Sequence, residues 1–352
     1  MTKRKKVALM VGARGIIGSH LIDHLVEAGE WDVVGLSRRG GVSTDRVRHI
    51  AVDLLDADQT RQKLRDLTDV THVFYTAFQD RPTWAELVAP NLSMLVHVVE
   101  AIEPVAKGLE HVSLMQGTKV YGAHLGPFKT PARESDPPHM PPEFNVDQQQ
   151  FLEARQKGQS WTWSALRPPM VCGFALGVPM NLAMVIAIYA TMSKELGVPL
   201  RFPGKRGAYD NLLEVVDAGL LARATVWAAT DPRCANQVFN INNGDLFRWS
   251  EMWPKIARFF ELEVAPPLPM PLAVVMADKE AVWNSIVEKY GLERHSFAEV
   301  SSWRFGDGIF SADYDMIADA SKARRFGFHE FVDTEEMFTR VFTDFRRRKV
   351  IP

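Results

Sequence analysis

Val7-Ala8-Leu9-Met10-Val11-Gly12-Ala13-Arg14-Gly15-Ile16-Ile17-Gly18 is a short apolar run that ends in glycines spaced GxxGxxG, with an amphipathic segment behind it. The pattern predicts strand, tight turn and helix. Glycine is needed where the turn bends sharply and where backbone must come close to a pyrophosphate. The helix N-terminus then offers free N–H groups and a partial positive charge to phosphates. A glycine triplet after a strand and before a helix, close to the start of the chain, is the context that a dinucleotide-binding turn requires. A glycine-rich turn in another kind of α/β protein is the alternative. The candidate cofactor contacts here are Gly12, Arg14, Gly15, Ile16, Ile17 and Gly18.

The next strand sharpens this reading. Trp31-Asp32-Val33-Val34-Gly35-Leu36-Ser37 runs into Arg38-Arg39-Gly40-Gly41, about twenty residues beyond Gly18. A carboxylate there would bind the ribose 2′-hydroxyl of NAD, whereas arginine suits a 2′-phosphate. The guanidinium is a planar fork that matches phosphate oxygens. Ser37, Arg38 and Arg39 therefore point to NADP(H), against the plainer alternative of a solvated basic turn. In Val52-Asp53-Leu54, Asp53 closes the third strand. It is placed, with Leu54, to contact the adenine ring, and it is equally suited to cap a helix.

With 352 residues, the chain is long enough for a doubly wound domain and a second lobe. A net charge of −2 argues against nucleic acid and against an anionic membrane as partners. The run Lys3-Arg4-Lys5-Lys6 is followed by no apolar segment of signal-peptide type, so no leader is expected. The longest apolar stretch lies near Met180 to Met192, broken by Asn181 and Thr191. It is too short to span a bilayer and reads as a buried or pocket-lining helix. Cys172 and Cys234 are far apart and suggest neither a metal nor a disulfide framework, so a reducing cytoplasm is the expected location. His20 and His24 share a helix face with Asp23 between them, but zinc needs a third ligand that the sequence does not supply.

Strands are predicted at 6–11, 32–37, 48–52, 71–76, 111–116 and 162–167, with helical patterns between them. Such alternation implies a parallel sheet covered on both faces. The fold class is thus α/β: a Rossmann-type doubly wound sheet over residues 1–175, with a smaller, mainly helical substrate lobe over 176–352 interleaved with it. Residues 122–145 hold Gly126-Pro127, Pro131, Pro137-Pro138 and Pro141-Pro142. They form a long loop, and the segment 122–150 is the candidate active-site loop. Pro266-Pro267-Leu268-Pro269-Met270-Pro271 is a stiff connector. The Trp and Met residues of the C-terminal half suit an apolar substrate pocket and ordinary core equally well.

Further motifs run along the whole chain: Gly117-Thr118-Lys119-Val120-Tyr121-Gly122, Gly126-Pro127-Phe128, Thr162-Trp163-Ser164-Ala165-Leu166-Arg167-Pro168, Phe239-Asn240-Ile241-Asn242-Asn243-Gly244-Asp245 and Trp303-Arg304-Phe305-Gly306-Asp307. Together with the glycine turn and Ser37-Arg38-Arg39, they resemble the extended short-chain dehydrogenase/reductases. More narrowly, they resemble the progesterone 5β-reductase and iridoid synthase family of NADPH-dependent enone reductases. The glycine fingerprint is generic to dinucleotide folds; the Lys-x-Tyr-Gly and Asn-Gly-Asp elements are far more particular. The resemblance implies hydride transfer from the nicotinamide to the β-carbon of an enone or enal. It also implies a tyrosine that donates to the carbonyl oxygen and a lysine that supports it.

The lysine is matched by Lys119. No Tyr-x-x-x-Lys pair exists at any of the six tyrosines, Tyr75, Tyr121, Tyr189, Tyr209, Tyr290 and Tyr314. In the family the tyrosine lies in an Asn-Phe-Tyr-Tyr segment followed by an acidic pair, where this chain has Glu143-Phe144-Asn145-Val146-Asp147-Gln148-Gln149-Gln150-Phe151-Leu152. Phe144, Asp147, Phe151 and Leu152 hold the register, so Val146 stands in the tyrosine's place and Gln149 and Gln150 replace the acids. Valine donates no hydrogen bond. Losing one oxyanion donor costs about 3–4 kcal/mol, a hundred- to thousand-fold in rate. Tyr121 is the candidate substitute if the segment is extended, since residues two apart then face the same side. Packing of Tyr121 against the cofactor is the alternative. Lys119 can in any case bind the nicotinamide ribose.

The expected cleft lies at the carboxyl ends of the strands. Its walls should include Lys119, Tyr121, Val146 and residues near Phe174 and Asn181. The function expected first is an NADPH-dependent reductase of an α,β-unsaturated or simple carbonyl on a lipophilic or aromatic small molecule. A lyase or isomerase of the same fold, and a cofactor-binding protein without reductase activity, are the other readings. A homodimer is admitted as the assembly.

Overall fold

The computed structural model describes residues 5–352, so Lys3 and Arg4 of the basic run lie outside the described residues. Six strands alternate with helices in the first half. They are β1 (Lys6–Val11), α1 (Ile16–Glu27), β2 (Trp31–Ser37), β3 (Val47–Ala51), α2 (Ala57–Leu64), β4 (His72–Tyr75), α3 (Trp84–Ile102), β5 (His111–Met115), α4 (Phe144–Gln156) and β6 (Thr162–Arg167). A seventh strand, Gln237–Asn240, arrives much later and pairs with β6. The sheet order is Gln237–Asn240, β6, β5, β4, β1, β2, β3, and every pairing is parallel.

This order reverses direction at β1, whose Val11 is flanked by Leu36 of β2 and Tyr75 of β4. A crevice therefore opens beyond the carboxyl end of β1, where such sheets bind ligands. β1 is buried from Val7 to Val11 because helices cover both faces of the sheet. On one face, α1 buries Leu21, Ile22 and Leu25 against β1, β2 and the helix Ala218–Thr230. On the other, α2, α3 and α4 pack side by side.

α3 is the longest apolar helix, with 19 residues, and displaces Met180–Met192 from that place. By length and composition alone it could cross a membrane, but here it lies on the sheet between α2 and α4. A capping box starts it, with Thr83 and Glu86 each accepting from the other's backbone.

The C-terminal half builds its own core around α5 (Leu182–Glu195). That helix is buried on all sides from Leu182 to Ser193. Trp249, Trp253, Trp283, Phe310, Phe338 and Phe342 surround it. Each such side chain stabilises by roughly 1.5–3 kcal/mol, so most of the Trp and Met content is core rather than pocket. Two short strand pairs, Met170–Cys172 with Val215–Asp217 and Leu200–Arg201 with Val264–Ala265, brace it.

Candidate active site

The glycine turn is shaped as its spacing predicts. Gly12 has φ +91°, and a Cβ there would lie 2.8 Å from Thr76 Oγ1 and 2.9 Å from Ala77 N. A Cβ on Gly18 would sit 2.2 Å from Gly12 O. Only glycine fits either position. The amides of Gly12 and Ala13 both donate to Leu36 O, at 3.1 and 3.0 Å, which pins the turn to β2. α1 begins at Gly15 with no side-chain cap, so its first amides are left to an external acceptor. This bare cradle fits a dinucleotide pyrophosphate.

Arg14, Arg38 and Arg39 are exposed beside it, and Ser37 Oγ donates to Gly40 O at 2.9 Å. His49, which the sequence reading missed, fills the space between Gly35 and Gly41, where a Cβ would meet its ring at 2.9 and 2.8 Å. Burial and the neighbouring Arg14 charge lower its pKa. Arg39 reaches toward Gly177 in the second half of the chain. Asp53 is not a helix cap. Its carboxylate accepts from Leu55 N at 3.1 Å, and Asp56 caps α2 by accepting from Gln59 N at 2.9 Å. The Leu54 side chain is buried in the core, and its carbonyl oxygen pairs with His97 Nδ1 at 2.8 Å.

Lys119 sits on a single 3₁₀ turn, Thr118–Tyr121, directly after β5. Its ammonium lies 4.9 Å from the Trp84 ring centroid and 5.9 Å from that of Phe78. Burial pulls its pKa down, partly offset by the carboxylates of Glu143 and Asp80. His124, edge-on to Trp84, is held neutral, its pKa lowered to about 4 by burial and by the Lys119 and His139 charges.

Because this turn is helical and not extended, Tyr121 does not share the outlook of Lys119. The Tyr121 ring is buried with Ala132 and Ala318. Its hydroxyl donates to Asn240 Oδ1 at 2.6 Å and accepts from Arg167 Nη1 at 3.0 Å. Arg167 is itself buried and finds only neutral partners: Gln116 Oε1 at 2.9 Å, Gln149 Oε1 at 3.1 Å and Tyr121. Gln149 thus receives a guanidinium without neutralising it. Tyr121 is corrected from candidate donor to a strut of this network.

Residues 144–150 of the expected loop are helix, the first turns of α4. Glu143 caps that helix, accepting from Val146 N at 3.3 Å and from Asn145 Nδ2 at 2.6 Å. Its carboxyl is buried, which raises its pKa, while the Lys119 charge pulls the other way. Val146 is half-buried beside this cap, and no hydroxyl stands at its position.

A cleft of about 750 Å³ opens beside Lys119, with Phe78, Trp84, Met180, Trp303 and Phe305 among its walls. Of the expected wall residues Lys119 lines it, and so do residues 177–180, which lie between Phe174 and Asn181; Tyr121 and Val146 do not. Asn181 is buried and caps α5, accepting from Met184 N at 3.1 Å. Phe174 packs under Arg348, 4.2 Å from its ring centroid. The real second wall comes from 177–180 and 298–305. The motif Trp303-Arg304-Phe305 was the sequence signal for it. His20 ties α1 to this side, its Nε2 accepting from Phe174 N at 3.1 Å.

The PRISE-like Rossmann-fold domain profile matches residues 42–352. The chain is 35% identical to the 3-oxo-Delta(4,5)-steroid 5-beta-reductase of Arabidopsis thaliana, over 99% of this chain and 94% of that protein. It is 32% identical to the (S)-8-oxocitronellyl enol synthase of Catharanthus roseus, over 99% and 93%. Among solved structures, the UDP-glucose 4-epimerase of Thermotoga maritima superposes with a TM-score of 0.69 at 18% identity, over 97% of this chain and 99% of that one. That likeness is one of fold.

Proposed function

The chain belongs to the PRISE-like Rossmann-fold family, and from that premise we propose an NADPH-dependent oxidoreductase. Its substrate is an α,β-unsaturated or simple carbonyl on a lipophilic or aromatic small molecule. The observation that carries this reading is Lys119, set between two aromatic rings at the mouth of a cleft beside a bare pyrophosphate cradle. Its relatives are named as a reductase and an enol synthase.

Bound NADPH would supply a hydride to the substrate. Gly12, Gly15 and Gly18 let the pyrophosphate approach the backbone, and Arg38 and Arg39 take the 2′-phosphate. Lys119 holds the ribose hydroxyls and places a positive charge near the oxyanion that develops on the substrate. The Trp84 and Phe78 rings beside the ammonium shield part of it from water, which strengthens that charge. Val146 leaves the oxyanion one donor short. This favours a second reading, a lyase or isomerase or a cofactor-binding protein in which the nucleotide is not consumed. With Cys172 and Cys234 both buried as free thiols, a reducing cytoplasmic setting belongs to the proposal.

The test is NADPH oxidation with a panel of enones, enals and ketones, on the protein and on Lys119→Ala. Turnover that falls at least tenfold in the variant supports the reductase. Tight NADPH binding with no oxidation on any substrate supports the second reading.

A further inference from the structure

Charge in the cleft is unbalanced. Its charged lining residues are Arg81, Lys119 and Arg304 against the single carboxylate of Asp80. The excess is positive in a chain whose net charge is −2. It is also unpaired. Arg133, Arg155, Arg223, Arg340 and Arg347 form ion pairs; among the described residues neither Arg81 nor Arg304, like Arg38 and Arg39 at the cofactor turn, has a carboxylate partner.

Half-buried Arg81 finds only neutral acceptors. These are Asp80 O at 3.3 Å and, with its amide turned to face the guanidinium, Gln79 at 2.7 Å. Arg304 is exposed, and its guanidinium makes no hydrogen bond among the described residues. It follows Trp303, which is anchored in the core at 8% exposure, so its origin is fixed on the cleft wall. None of the glycine-turn residues, nor Arg38 or Arg39, is among the residues that line this cleft, although Arg39 reaches its wall at Gly177.

We propose that Arg81 and Arg304 form an anion-binding subsite, and that the substrate is a carbonyl compound carrying a carboxylate remote from the reacting carbonyl. Guanidinium groups without a carboxylate partner of their own can donate charge-assisted, bidentate hydrogen bonds to a carboxylate. The aromatic side chains Trp84, Trp303 and Phe305 hold the apolar body between that carboxylate and Lys119. An excess of positive charge in a cleft with low-dielectric walls also draws an anion in from solution. The inference rests on the reductase reading for the word substrate; the subsite itself does not.

The experiment uses the NADPH-loaded protein and a homologous series of cyclohexenones bearing an alkanoate chain, each as free acid, methyl ester and carboxamide. Turnover is followed by NADPH oxidation, and binding by quenching of tryptophan fluorescence, since Trp84 and Trp303 line the cleft. The acid should be preferred over its ester by about 10- to 100-fold in kcat/KM and in affinity. Added salt should erode that preference. Arg81→Gln and Arg304→Gln should each shrink the acid-to-ester ratio severalfold, and the double variant should bring it near one. An ester as good as the acid overturns the proposal. So do variants that leave the ratio unchanged, variants that weaken only NADPH binding, and a series in which no member binds. If the acid binds selectively in an arginine-dependent way but no NADPH is oxidised, the subsite stands and the reductase reading falls. If hydride transfer proceeds without discrimination, the reverse holds.

Discussion

Tyr121 and Asn240 are joined by a 2.6 Å hydrogen bond that ties the Lys119 turn to the last strand of the sheet. The bond is buried, and Arg167 Nη1 donates to the same hydroxyl. Tyr121→Phe would leave Asn240 Oδ1 and that guanidinium N–H without partners. The expected cost is about 1–3 kcal/mol of stability, seen as a fall in Tm of a few degrees. kcat should change less than the threefold or so typical of a residue remote from the chemistry. A loss of turnover with Tm unchanged would return Tyr121 to the role of donor.

Arg38 and Arg39 follow β2 with no carboxylate beside them in sequence. Arg38→Ala and Arg39→Ala are each expected to weaken NADPH more than NADH, by about 1.5–3 kcal/mol if the guanidinium pairs with the 2′-phosphate. Fluorescence titration of both nucleotides measures this. Equal losses for the two would remove the basis for NADP specificity.

Val146→Tyr would place a hydroxyl on the first turn of α4, next to the Glu143 cap, where the proposed function leaves the oxyanion a donor short. Enone reduction should rise about ten- to a thousandfold, the range of one oxyanion donor. Steady-state kinetics on small enones and enals decides it. An unmodified protein that already reduces enones briskly, with no gain in the variant, would mean that another group donates.

Glu214 lies at 1% exposure, accepting from Asn242 Nδ2 at 2.6 Å and from Ala318 N at 3.0 Å. Burial pushes its carboxyl up to about 8 from 4.5. The folded state therefore holds a proton that the unfolded chain has already released, and stability must fall as pH rises from about 4.5 to about 8. The group contributes about 5 kcal/mol to that fall at most. Denaturant unfolding across this range should show the slope, and Glu214→Gln should flatten it. An unchanged slope in the variant would assign the effect elsewhere.

Much of the fold was legible because its signals are local. The glycine turn needs only neighbouring residues to declare itself, and β1 to β6 follow from short apolar runs. The seventh strand was not legible. Gln237-Val238-Phe239-Asn240 is four residues long and ends in a buried polar residue that serves the Tyr121 network, so its pattern is no stronger than a loop's. At the site, Lys119 was readable from its motif. The direction of Tyr121 was not, because one 3₁₀ turn in place of extended backbone rotates it out of the cleft. The meeting of Arg81 with Arg304 was not legible, although Arg304 belongs to a quoted motif, because folding, not spacing, brings residues 81 and 304 to one cavity.

The late arrival of the last strand also sets an order of events during synthesis. About 70 residues separate the end of β6 from Gln237. At ribosomal speeds they take roughly 4–14 s to appear. For that interval β6 presents its outer row of amides and carbonyls to the cell with nothing to pair with, and Asn240 is not there to receive Tyr121. A nascent chain stalled in this window carries an open, parallel-type edge of the kind that recruits other strands.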